Sequence, residues 1–173
     1  LGLAACLGLA VDRREWEVAC MLEGVFVPPG FVDLMIAQRL AQPTPEGFAL
    51  VHGMLRESIQ RMSRERGRRV RDHACAAQAL RVLYGEHAVG HAQRLAHHLM
   101  EAGDQEAALA PLLDASYQLQ ISGRYDEAAR ALEQHDEVVR ALGLAQEDGR
   151  RLRAQMQLVW LTWLRGQRRV ELQ

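Results

Sequence analysis

Apolar positions recur at helical spacing along most of this chain, and glycine-marked turns interrupt them. The plainest punctuation lies in Leu95 to Ala108, LAHHLMEAGDQEAA, which reads as a helix end, a Gly103-Asp104 turn and a new helix start. The same arrangement returns at Gly123 (GRYDEAA) and Gly166 (GQRRVEL). Small apolar residues follow each time: Ala107 and Ala108, then Ala128, then Val170. Repetition of helix, short turn and antiparallel helix predicts a stacked array whose neighbours bury each other's apolar faces.

From the N-terminus, Leu1 to Leu7 reads as the tail of a buried helix. Asp12 with Glu15 three residues on forms a capping box, so a helix starts there. Its inward set is Trp16, Ala19, Cys20 and Glu23, widened by Val18 and Leu22, and Gly24 stops it. Pro28 and Pro29 open the next helix, which carries Phe31, Leu34, Met35 and Gln38 inward and ends near Arg39. Turn residues at 40–47 and the strand-like Phe48 to Val51 predict a β-hairpin with its tip at Pro45 to Gly47. A helix from Met54 to Arg66 follows. Three helices, a hairpin and a further helix make the skeleton of a winged-helix domain over residues 1–68.

Residues 69–173 predict the helical array. A helix over Asp72 to Tyr84 directs Cys75, Ala79, Val82 and Leu83 inward, and Gly85 and Gly90 flank a weak spot. His91 to Met100 is helical with Leu95 and Leu99 inward. Asp104 caps the next helix, whose inward set is Ala108, Leu109, Leu112, Ser116 and Leu119, and Pro111 should kink or restart it. Tyr125 to Leu142 is the cleanest amphipathic helix, with Tyr125, Ala128, Ala129, Leu132, Val139 and Leu142 on one face and Gly143 at its end. The final helix, Asp148 to Arg165, is apolar nearly all round over MQLVWLTWL, so it should be covered on every side. Too little chain follows to cover it. The sequence therefore reads as cut from a longer protein at this end, and also at residue 1, where a hydrophobic run begins without Met. The fold class expected is all-α with one small hairpin.

Composition narrows the chemistry. Half of the 173 residues are apolar and a quarter are charged, with a net charge of −1, so no global field draws the chain to nucleic acid or an anionic membrane. Every basic residue is arginine, and lysine is absent. A P-loop, a kinase nucleotide site and a Schiff-base enzyme each need a lysine, so none is complete within this chain. Cys6, Cys20 and Cys75 show no paired or metal-binding spacing and read as reduced thiols of a cytoplasmic protein. The apolar run at the N-terminus is too short to span a bilayer.

The string Phe48-Ala-Leu-Val-His52-Gly-Met-Leu-Arg56-Glu57-Ser-Ile resembles the end of the winged-helix domain in signal-transducing P-loop ATPases of the STAND class. In bacteria these are often fused to LuxR-type DNA-binding, adenylyl cyclase or serine/threonine kinase domains. The arginine-rich run after it, then Leu95 to Asp104 and Gly123 to Ala128, resembles the tetratricopeptide-like arm of those proteins. The resemblance implies a regulatory segment without catalytic residues of its own. Its winged helix packs on a nucleotide domain that lies outside this chain and binds ATP or ADP, and its arm senses a ligand or a signalling protein. It also implies that His52 faces the nucleotide phosphates. Read from the residues alone, His52 serves a strand-to-helix corner.

His87, His91, His97 and His98 include a helical i, i+4 pair, but zinc needs three or four converging ligands, so no metal and no cofactor is expected in this chain. The run RMSRERGRRVR, Arg61 to Arg71, suits phosphates; Glu65 and Asp72 interrupt it, and a solvated or interdomain face is the simpler reading. Within it Arg64 and Arg68, with Trp160 and Trp163 on the last helix, are the candidate partner-binding residues. The apolar last helix could also pair two copies. His73 and Cys75 fall on different helix faces and are no nucleophile and base pair. The alternative function is a winged-helix transcription factor that holds DNA through the arginine run, although the candidate recognition helix, Phe31 to Arg39, is too apolar to read bases.

Overall fold

A computed structural model describes residues 1–88 and 90–171, with side chains through residue 166. The fold is mostly helical with one small antiparallel sheet. The chain divides into two compact units, Leu1–Leu83 with Glu101–Gly103, and Tyr84–Met100 with Asp104–Gln173. The expected boundary at 68/69 falls at the start of the helix that completes the first unit.

The first unit runs α1 (Gly2–Leu7), β1 (Ala10–Asp12), α2 (Arg13–Leu22), α3 (Phe31–Ala37), β2 (Ala41–Thr44), β3 (Gly47–Leu50), α4 (Gly53–Glu65) and α5 (Arg69–Tyr84). The hairpin of β2 and β3 forms where the turn residues place it. The sequence reading missed β1, which adds to the other edge of β3 and gives the order β1-β3-β2 with Val11 opposite Phe48. Three residues between two helix signals carry too little alternation to announce a strand. Pro43 sits in β2, an edge strand, where its missing N–H costs no ladder bond on the open side. Phe48 is fully buried and meets Trp16 edge-on at 5.2 Å, and this pair centres the core with Val11, Leu3 and Met35.

Asp12 caps α2 by accepting from the Arg14 and Glu15 backbone N–H groups at 2.7 and 3.2 Å. Trp16, Ala19 and Cys20 are buried as expected, but Leu22 is exposed. In α3, Met35 is buried whereas Leu34 and Gln38 are exposed. The inward face of α5 also differs: Asp72, His73, Ala76, Ala77, Ala79 and Leu80 are buried, and Val82 is exposed. Alanines on all sides of α5 gave the sequence no clear stripe, and two buried polar residues hid its phase. No residue of α4 is fully buried. Leu55 and Ile59 pack partly on the core, and Arg56 and Gln60 both donate to the Ala5 carbonyl oxygen of α1, at 2.9 and 3.0 Å.

The second unit holds α6 (Ala92–Glu101, its last residue grouping with the first unit), α7 (Gln105–Ile121), α8 (Tyr125–Ala141) and α9 (Gly149–Glu171). Gly123 takes φ 72°, a left-handed value that side chains resist, and turns the chain from α7 into α8. Asp104 caps α7 by accepting from Ala107 N–H at 3.2 Å. The expected inward set of α7 is buried throughout, and the helix runs through Pro111 without restarting. On α8, Ala128, Leu132 and Val139 are buried, while Leu142 is exposed and Ala131, His135 and Val138 join the interior. Gly166 is no turn: α9 continues through it, because one glycine in a helix is a modest penalty and no cap follows it. The side chain of Val170 lies outside the described residues. Among the described residues no helix is long and apolar enough to cross a membrane.

Candidate partner-binding surfaces

In the first unit the strand-to-helix corner is built by β3 delivering the chain to α4. His52 is the N-cap of α4, with extended backbone at φ −124° and ψ 129°, and its carbonyl accepts from Leu55 and Arg56 N–H. Its side chain makes no capping bond and is exposed. Val51 and Met54 beside it are also exposed, Met54 at 79%. The corner thus offers an imidazole, the uncapped N–H groups of a helix start and two large apolar side chains.

The arginine run is less free than its sequence suggests. Glu23, at the end of α2, is almost wholly enclosed and accepts from Arg68 at 2.9 Å, from Arg71 at 2.8 Å and from the Cys75 thiol at 3.2 Å. Burial alone would raise its carboxyl, but the Cys75 and arginine bonds together hold it below the ordinary value. Arg69 pairs with Glu101. Arg68, a candidate for partner binding, gives its bond to Glu23 while its side chain stays 47% exposed. Arg64 is exposed on α4 and makes no ion pair among the described residues.

Burial pushes the Cys6 thiol up to about 12, and burial with the Glu23 bond pushes Cys75 up to about 11. Both stay protonated at neutral pH and are poor nucleophiles. Cys75 sits against Glu23, and His73 is buried elsewhere on α5.

In the second unit, α9 has two unlike faces. Leu161 is fully buried and Ala154 nearly so, against Leu113 and Leu119 of α7 and Ala128 and Leu132 of α8. Gln157 donates to the Leu113 carbonyl at 3.3 Å, and Arg165 to the Tyr125 carbonyl at 3.1 Å and Asp126 at 2.6 Å. The opposite face exposes Met156, Val159, Trp160 and Trp163. The two indoles stack with centroids 4.9 Å apart at 25° and stay 52% exposed. At the start of α9, Arg150 bonds Asp148 and Glu106; its side chain and backbone N–H hold the Asp148 carboxyl down at about 2.

His87, His91 and His97 do not converge as a ligand set among the described residues. His87 instead bonds Asp114 at 2.9 Å, and His91 stacks on Tyr84 at 3.8 Å. The Glu23 knot escaped the sequence reading because its partners lie 45 to 52 residues apart.

No family model, curated protein or solved structure matches the chain. The case for a function therefore rests on these surfaces and on the short motifs read from the sequence.

Proposed function

We propose that the chain is a non-catalytic regulatory and protein-interaction segment of a larger bacterial, cytoplasmic signal-transduction ATPase or transcriptional regulator. The β3–α4 corner packs on a nucleotide-binding domain, with His52 turned to the ATP or ADP held there. The helical array receives a signalling protein. The observation that supports this best is the sidedness of α9. One edge is sealed into the array, while the other offers a run of large apolar side chains including a stacked tryptophan pair. Exposed contiguous apolar surface of this kind is the usual mark of protein contact.

The direct test is turnover and affinity of the purified chain. It should hydrolyse no ATP above a boiled control and should bind ADP too weakly for calorimetry to detect. Hydrolysis by the chain itself would overturn the reading. The exposed Arg61, Arg64 and Arg66 favour a second reading, a DNA-holding winged-helix factor. A gel shift with duplex DNA that weakens steeply with salt would select it over the first.

A further inference from the structure

His135 lies on α8, is fully buried, and among the described residues has no hydrogen-bond partner at either ring nitrogen. It borders an open groove of about 360 Å³ between α8 and α9, whose lining includes Leu132 and Val139 of α8 and Ala154 and Leu158 of α9. The charged groups around that groove point their bonds elsewhere. On its own helix, Asp136 accepts from Arg140 at 3.1 Å, and Glu133 and Glu137 stand on the rim. On α9, Arg165 is held by Asp126 and Arg150 by Asp148 and Glu106, while the Arg151 Nε is itself buried without an acceptor. The acidic groups of α7 are Glu106, which takes Arg150, and Asp114, which takes His87. Among the described residues no carboxylate bonds the imidazole.

We propose that His135 is a proton-operated latch between α8 and α9: neutral, it packs as a core side chain, and protonated, it releases α9 from α8. A cation whose ring nitrogens solvent does not reach and no acceptor meets is far costlier than a neutral ring, and parting α9 from α8 opens the ring to the water of the groove. Burial holds this histidine below its ordinary value of 6.5; Asp136 pulls it back upward and Arg150 lowers it further. A group depressed in the folded state contributes stability that is complete above 6.5 and is lost as the pH falls toward the folded value. Coupling to one proton raises the open population by at most about tenfold per pH unit in that window. Ordinary carboxyls titrate at about 4, well below it. The latch does not depend on the chain being a signalling segment.

Hydrogen exchange of the whole chain, corrected for intrinsic rates, tests it between pH 7.5 and 5.5. In the wild type, α9 peptides should lose protection below pH 6.5, by up to about tenfold per unit. In His135→Leu that pH dependence should vanish, whatever the variant's absolute stability. An unchanged pH dependence in His135→Leu, or flat α9 protection in the wild type, would overturn the latch. If His135→Leu fails to fold, a nuclear magnetic resonance titration of wild-type His135 decides: a value well below 6.5 supports the latch, and one at or above 6.5 refutes it.

Discussion

Leu161→Ala isolates what fastens α9 to the array. Leu161 is wholly buried among Leu113, Leu119, Ala128, Leu132 and Ala154. Truncation removes three carbons, about 2.4 kcal/mol at about 0.8 kcal/mol per buried methylene. A residual void of about 40 Å³ adds about 1 kcal/mol, which puts the total at about 3 kcal/mol. Since about 1.4 kcal/mol is a factor of ten, local opening of α9 should become about a hundredfold more frequent. Hydrogen exchange of peptides within α9 reads this directly. Val159→Ala, two residues away but 69% exposed, is the control and should stay within about 0.5 kcal/mol of wild type. Equal effects of the two substitutions, or a Leu161→Ala loss under about 1 kcal/mol, would mean that α9 rests on a different face.

Further outcomes are expected elsewhere. Asp12→Ala should lower stability by about 1 kcal/mol in urea titration, since two N–H groups of α2 lose their acceptor. Gly47→Ala should fold poorly or not at all by circular dichroism, because a Cβ there would stand 2.3 Å from the Val11 carbonyl oxygen and 2.7 Å from the Arg13 nitrogen. His87 is raised by its bond to Asp114 and by that charge, so its contribution is complete below 6.5 and fades as pH rises through the folded value; Asp114→Asn should return the titration measured by nuclear magnetic resonance toward 6.5. Native alkylation at pH 8 should leave Cys6 unlabelled by mass spectrometry and label it fully in urea, as its burial and raised thiol value require.

Elements whose signals are local were legible. Asp12 and Asp104 announced their caps, Gly123 its turn, and the Pro45-Glu46 tip its hairpin. Where the signal is long-range or weakly phased, the sequence said less. Strand β1 exists because β3 offers it an edge, and nothing in Ala-Val-Asp alone requires it. Alanine-rich α5 has no dominant stripe, so its buried Asp72 and His73 went unseen. Gly166 looked like a stop because two earlier glycines were stops, yet neither a capping residue nor a left-handed backbone accompanies it. The candidate surface residues His52, Arg64, Arg68, Trp160 and Trp163 are all exposed, and Arg68 also pairs with Glu23 and Asp72. Which acid an arginine meets depends on the fold, and Glu23 is 45 residues distant from Arg68.

Helix α4 is joined to its unit by Arg56 and Gln60, which share the Ala5 carbonyl, by the Ser63 hydroxyl donating to Asp72 of α5, and by the partly covered Leu55 and Ile59. Its outer surface, with Met54, Glu57, Arg61 and Arg64, is exposed, and its first residue follows the exposed His52. Detaching it would forfeit little apolar burial, so its opening free energy should lie well below that of the sheet. A pull on the His52 end would therefore be taken up by α4 peeling from its unit, while Phe48 and Trp16 stay in place.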